Sequence, residues 1–144
     1  MKLYTIGFTK KTAEQFFSLL KNNNVKCVVD VRLNNRSQLA GFTKEEDLKY
    51  FLKAIAGIDY CHMLLFAPTD EMLKKYQDKK MSWEDYQKEY IRVLDSRDVI
   101  NNFDHQRLTD ACLLCSEPTP DKCHRRLLAE YLSSKIKDLE VVHL

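Results

Sequence analysis

Short apolar runs alternate with longer helical segments along the whole chain, and this alternation limits the fold more than any other feature. VKCVVDV (25–31) and ACLLCSE (111–117) are almost continuously apolar, which is typical of strands covered on both faces. LYTIG (3–7), IDYCHMLLF (58–66) and LEVVHL (139–144) have the length and composition of three more strands. Because parallel strands must be joined by crossovers, the pattern predicts an α/β fold. We expect a single three-layer, Rossmann-like domain with a mostly parallel sheet of about five strands.

The segments between these strands show helical periodicity. The predicted helices cover 13–24, 44–57, 70–80, 83–96 and 119–138, and a less regular helical segment covers 98–110. Side chains suited to N-capping precede four of them: Thr12, Thr43, Ser82 and Thr119. With no linker or low-complexity tract in the chain, we expect one domain over residues 1–144.

The composition is that of an ordinary globular domain. The chain has 144 residues, of which 44% are apolar and 31% charged, and its formal net charge is +2. A charge this small does not indicate a nucleic-acid-binding protein and does not exclude one. Five dispersed cysteines, no signal peptide and no apolar stretch of ~20 residues predict a cytoplasmic protein with reduced thiols and no membrane segment. Nothing in the pattern predicts an oligomeric state.

Reactive and polar residues follow three of the predicted strands, at the end where ligands bind in open α/β sheets. They are Gly7 and Thr9 after the first strand, Asp30, Arg32 and Ser37 after the second, and Cys115 and Glu117 after the fourth. Asp30 and Arg32 are two residues apart and so point to the same side of an extended strand. They form either a structural ion pair, or a site in which Asp30 is a base or orienting group and Arg32 holds an anion.

The segment CSEPTPDKCHRR (115–126) combines several reactive side chains with a predicted helix start. Thr119 is a suitable N-cap and Pro120 a suitable first residue, which puts Cys123, His124 and Arg125 in or near the first turn. Free backbone amides and the helix dipole would make this turn an anion site, and Arg125 could grip phosphate or carboxylate. The same positive field would lower the pKa of Cys115.

Three other interpretations of this segment fit the residue spacing less well. Zinc would need Cys115, Cys123 and His124, but the short Cys-x2–4-Cys spacing is missing, and adjacent Cys and His residues on a helix point apart. We therefore predict no metal and no cofactor. A Cys115–Cys123 redox pair does not have the Cys-x-x-Cys form. A tyrosine-phosphatase loop would need arginine where the chain has Asp121. A fourth alternative is that the segment has no chemical role and consists of a buried cysteine beside a solvated basic helix.

Four stretches of the chain resemble the signature motifs of the DUF488 family, a domain of unknown function: TIGFT, VVDVR, RLNNRSQLAGFTK and LLCSEPTPDKCHRRLLAEYL. The resemblance implies a compact α/β domain and no established activity. The family's motif residues correspond here to Thr5, Gly7, Asp30, Arg32, Ser37, Cys115, Glu117, Cys123, His124 and Arg125. The chain departs from the family at Phe8, where many members have histidine, and at Asn35, where proline is common.

These residues predict an anion-binding pocket that acts on a small molecule or nucleotide bearing a phosphate or carboxylate. Cys115 is the candidate nucleophile, and Glu117, His124 and Asp30 are the candidates for proton transfer. The predicted substrate-binding residues are Gly7, Thr9, Arg32, Ser37, Cys123 and Arg125.

Two other functions use the same sequence features without catalysis. One is a non-catalytic module that binds a nucleotide or nucleic acid, its surface extended by the lysines at 74, 75, 79 and 80. The aromatic stripe of Trp83, Tyr86 and Tyr90 would then stack on bases, although such stripes usually face a core. The other is a partner-binding scaffold, in which the motif residues serve mainly the fold.

Overall fold

A five-stranded sheet forms the centre of the computed structural model, which describes residues 1–36, 41–117 and 121–144. The strands are β1 (Lys2–Gly7), β2 (Cys27–Asp30), β3 (Asp59–His62), β4 (Ala111–Cys115) and β5 (Glu140–His143). Their order is β3-β2-β4-β1-β5, and every neighbouring pair is parallel. The α/β class is confirmed, and the carboxyl ends of β2, β4 and β1 lie side by side.

Helices cover both faces of this sheet. They are α1 (Ala13–Asn22), α2 (Glu45–Phe51), α3 (Asp70–Gln77), α4 (Trp83–Ser96) and α5 (His124–Lys135). Phe16 of α1 and Leu48 of α2 belong to one apolar core with Ile6 of β1. Leu94 of α4 and Leu128 of α5 belong to another core, on the opposite face. This arrangement confirms the three layers. None of the described helices has the length and apolarity needed to cross a membrane.

Several local signals in the sequence act as expected. Thr12 and Gln15 form a reciprocal capping box at the start of α1, with N–H to side-chain oxygen distances of 2.9 and 3.1 Å. Ser82 Oγ accepts the Asp85 N–H at 3.1 Å and caps α4. A π-helical segment, Leu52–Ala56, continues α2, and Gly57 after it adopts a φ of 63°, the left-handed conformation that glycine favours at a helix C-terminus.

Three predicted elements differ from the structure. Thr43 is not a cap: it ends a short 3₁₀ turn, and Lys44 precedes α2 without a side-chain cap. The strand predicted over 58–66 ends at His62, because β3 is an edge strand and the chain turns into a 3₁₀ segment that buries Phe66. The segment 98–110 contains two 3₁₀ turns instead of a helix.

The last helix begins at His124, four residues after the predicted first residue, while Thr119 and Pro120 lie outside the described residues. Cys123 is the residue before the helix and has an extended backbone, with φ −138° and ψ 137°. The side chains of Cys123 and His124 therefore do not project as neighbours on one helix.

Candidate functional site

A cleft of about 390 Å³ lies beyond the carboxyl ends of β2 and β4 and reaches the start of α5. Some of its lining residues have ionisable or reactive side chains: Arg32, Cys115, Glu117, Lys122, Cys123 and His124. Others are apolar or aromatic: Phe8, Leu33, Pro68, Leu73, Tyr76, Trp83 and Tyr86. The strand ends thus border a concave surface lined by both polar and aromatic side chains.

Cys115 and His124 form a close pair in this cleft. Cys115 ends the central strand and is 3% exposed, and its Sγ lies 3.5 Å from His124 Nδ1. On the other side of the ring, His124 Nε2 lies 2.9 Å from the Val31 carbonyl oxygen. A carbonyl only accepts hydrogen bonds, so Nε2 carries a proton and Nδ1 faces the thiol. This orientation lets the imidazole exchange a proton with Cys115.

The surroundings favour the charged form of both groups. The pKa of Cys115 lies well below its ordinary value because the Cys123 thiol donates a hydrogen bond to it, and because His124 and the Glu117 backbone N–H add to this against the effect of burial. Burial alone would lower the pKa of His124, yet that pKa is raised because the Cys115 thiolate and the Val31 carbonyl stabilise the imidazolium. The geometry and charge thus support a thiolate–imidazolium pair.

Cys123 completes a cluster of three potential metal ligands. The Sγ atoms of Cys115 and Cys123 and a ring nitrogen of His124 all lie within 4.8 Å of one another, and all three residues are buried. The expectation that Cys123 and His124 diverge on a helix is wrong, because Cys123 precedes the helix in an extended conformation. The pKa of Cys123 is raised, first because its proton is shared with Cys115 and then because it is buried.

Asp30 and Arg32 form a buried ion pair at the end of β2. Asp30 Oδ1 accepts from Arg32 Nε at 2.9 Å and from the Arg32 backbone N–H at 3.1 Å. Asp30 Oδ2 accepts from Arg32 Nη2 at 2.8 Å and from the Tyr60 hydroxyl at 2.6 Å. Arg32 Nη2 also donates to the Thr43 carbonyl, and the guanidinium lies 5.3 Å from the Phe8 ring centroid. Asp30 accepts four hydrogen bonds from Arg32 and Tyr60, so its carboxylate holds both side chains at the end of β2.

Arg125 lies behind the cleft and not in its lining. Its Nη1 donates to the Glu117 carbonyl and its Nε to Thr5 Oγ1 at 3.4 Å, while Nη2 is buried without a hydrogen-bond partner among the described residues. Gly7 makes room for this contact, because a Cβ there would lie 1.5 Å from the Glu117 carbonyl oxygen and 2.7 Å from Arg125 Nη1. Arg125 and Gly7 thereby hold the segment after β4 against β1.

The remaining predicted site residues are dispersed. Glu117 is exposed and lines the cleft. Thr9 is exposed and lies outside the lining, where its backbone N–H bonds the Ser116 carbonyl at 3.0 Å. Ser37 lies outside the described residues.

The aromatic residues of the cleft lining include Trp83 and Tyr86 of the stripe considered for base stacking, but none of the predicted catalytic or substrate-binding residues. Trp83 and Tyr86 stack with ring centroids 5.3 Å apart, and Tyr90 packs edge-on to His124 at 5.6 Å. Tyr86 and Tyr90 are buried, as expected for a core stripe, whereas Trp83 is half-buried and faces the cleft together with Tyr76. The i, i+3, i+7 spacing in α4 identifies the stripe in the sequence. That Trp83, the first residue of the stripe, borders a cleft is visible only in the structure, where α3 packs nearby.

A family model described as a domain of unknown function, DUF488, matches residues 12–132. This chain belongs to the DUF488 family. The matched range includes the DUF488 motifs at β2 and in the β4–α5 segment, and the motif at β1 lies before it. Searches of curated proteins and of solved structures found no match.

Proposed function

We propose that the cleft is the active site of a thiol-dependent enzyme, with Cys115 as the nucleophile. The observation that carries this proposal is the Cys115–His124 contact of 3.5 Å, with the imidazole held from behind by the Val31 carbonyl. A nucleophile, a base within reach and a third group that orients the base are the parts that covalent catalysis requires. The five free cysteines support a cytoplasmic location, where thiols stay reduced.

The chemical step follows from the positions of the protons. The Cys115 thiolate forms a bond to an electrophilic centre of the substrate, and the bond from that centre to the leaving group breaks. The proton on His124 Nδ1 passes to the leaving group, because this nitrogen faces the sulfur while Nε2 keeps its proton on Val31. Water then attacks the thiol-bound intermediate, gives a proton back to His124 and releases Cys115.

The walls of the cleft favour a substrate with a flat ring and an anionic group, as in a nucleotide. Tyr76 and Trp83 line the cleft with half-buried rings. Lys122, which is exposed, and Arg32 line it with positive charge. Stacking on an aromatic side chain contributes roughly 1–3 kcal/mol per base. In this proposal Lys122 and Arg32 bind the phosphate or carboxylate, and Arg125 positions the segment that carries the thiol.

The proposal is tested by the alkylation rate of each cysteine, mapped by mass spectrometry in the presence of a chelator. Iodoacetamide should modify Cys115 of the wild type faster than Cys112, which is fully buried in the adjacent strand. In His124→Gln the side-chain amide can still donate to Val31 but no longer supplies the imidazolium, so alkylation of Cys115 should slow by tenfold or more, about the effect of one pKa unit. Equal rates in the two proteins would contradict the proposal.

Protection from alkylation tests the substrate class. AMP should protect Cys115 at lower concentration than inorganic phosphate, and Trp83→Ala should remove that advantage because the stacking surface is lost. Equal protection by AMP and phosphate would restrict the proposal to a small anion without a ring.

A non-catalytic nucleotide or nucleic-acid module is the second candidate, and the stacked rings of Trp83 and Tyr86 favour it. Lys74 and Lys75 form ion pairs with Asp70 and Glu71 within α3, which reduces the positive charge available to phosphates. This candidate predicts AMP or RNA binding that is unchanged in Cys115→Ser.

A further inference from the structure

Two sulfur atoms and one imidazole nitrogen converge on a single point of the cleft wall. The ligand atoms of Cys115, Cys123 and His124 lie within 4.8 Å of one another although the first comes from β4 and the others from the start of α5. Cys123 is 2% exposed and Cys115 3% exposed, so burial by the fold already orients the donors. Little rearrangement is needed to bring three such atoms onto one metal ion.

The spacing fits a tetrahedral metal ion. Zinc bonds of about 2.3 Å to sulfur and 2.0–2.1 Å to nitrogen, at tetrahedral angles, place the two donor atoms about 3.6 Å apart. The distance from Cys115 Sγ to His124 Nδ1 is 3.5 Å. The same geometry needs two sulfur atoms about 3.8 Å apart, which lies inside the 4.8 Å limit of the cluster.

The groups behind the three donors also suit a metal site. A metal-bound histidine usually donates its other ring N–H to a carbonyl or carboxylate, and His124 Nε2 does so to Val31 at 2.9 Å. Arg125 Nη1 lies 3.7 Å from Cys123 Sγ, where its charge stabilises a thiolate. His124 and Cys123 are therefore each held by an outer contact.

We propose that Cys115, Cys123 and His124 form a three-ligand site for Zn²⁺, with the fourth coordination position facing the cleft. Thiolate and imidazole donors select zinc over magnesium or calcium. All three residues line the cleft, so the fourth position would be open to water or a small ligand, the arrangement of a catalytic rather than a structural zinc site.

Zinc binding requires only these three ligands and does not depend on whether Cys115 acts as a nucleophile. A bound ion would take up the Cys115 thiolate, so the metal-loaded protein should resist alkylation at Cys115 and Cys123. The metal-free protein would have the free thiolate of the proposed enzyme. The two states can therefore be measured separately.

The test is the affinity for Zn²⁺ of the metal-free full-length chain, measured by competition with a chromophoric chelator. We expect one bound equivalent in the wild type. Cys115→Ser, Cys123→Ser and His124→Gln should each weaken binding by more than the roughly 10–100-fold that loss of an outer contact costs. Cys61→Ser is the matched control and should bind normally, because Cys61 belongs to a separate thiol pair with Cys27.

Folding of each variant is checked by circular dichroism. If a variant does not fold, the absorption spectrum of the wild type loaded with Co²⁺ is measured instead. Charge-transfer bands from two thiolates to cobalt, together with the bands of a four-coordinate ion, would support the site. The absence of a stoichiometric zinc ion in the wild type, or unchanged affinity in a folded Cys123→Ser, overturns it. If Cys115 is alkylated fast in chelator but the protein binds no zinc, the enzyme proposal is supported and the metal site is overturned. If the protein binds zinc but Cys115 is alkylated slowly in chelator, the metal site is supported and the enzyme proposal is overturned.

Discussion

The buried pair of Asp30 and Arg32 allows a quantitative test of what holds the rim of the cleft. Asp30 is fully buried and Arg32 is 6% exposed, and two direct hydrogen bonds join their side chains. Asp30→Asn keeps the size of the side chain but leaves the Arg32 charge without its partner. Arg32→Met leaves the buried negative charge of Asp30 without its cationic partner. Breaking a buried pair from one side typically costs about 3–5 kcal/mol.

The double variant should be much less destabilised than the sum of the two, because it removes both charges at once. Replacing a buried pair by neutral groups is often close to neutral in stability. Urea unfolding at pH 7 measures all four proteins. With a slope of about 2 kcal/mol/M, a loss of about 4 kcal/mol moves the midpoint by about 2 M, which is readily resolved.

Additive single effects would refute the coupling between the two charges. A cost below about 1 kcal/mol for Arg32→Met would refute it in another way, because exposed ion pairs contribute that little. Either result would mean that the charge of Arg32 contributes little to stability through Asp30. Tyr60→Phe serves as the control, since it removes one hydrogen bond to Asp30 without changing a charge.

Two further predictions concern other residues. Gly7→Ala should destabilise the protein by about 1–3 kcal/mol or more, measured by thermal unfolding, because the new Cβ would overlap a backbone carbonyl; Gly41→Ala, which meets nothing within 4 Å, should not. The alkylation of Cys61 should show an apparent pKa of about 7, below the ordinary value of 9.0 for a cysteine thiol. The pKa is lowered because a hydrogen bond from the Cys27 thiol and the charge of Arg107 stabilise the Cys61 thiolate. Its alkylation rate should therefore rise as the pH passes from 6 to 8, and Arg107→Gln should move this rise to higher pH. A rate profile centred near 9 in the wild type would show that the thiolate has no such stabilisation.

Local sequence signals located much of the secondary structure. The capping box at Thr12 and the cap at Ser82 depend on residues three apart, and both form as the sequence predicts. Continuous apolar runs marked β2 and β4 because both faces of these strands are covered. The apolar run at 58–66 predicts too long a strand, because periodicity over a few residues does not distinguish an edge strand from a 3₁₀ turn.

The α/β class, most of the strands and helices, and the rim where the reactive residues gather follow from periodicity and from contacts a few positions apart in the sequence. The arrangement of the reactive residues at that rim depends on partners that are distant in the chain. His124 is oriented by Val31, 93 positions away, and Arg125 bonds Thr5, 120 positions away. Such partners depend on the strand order and on where α5 begins. These two features keep Arg125 out of the cleft lining and direct Cys123 towards Cys115.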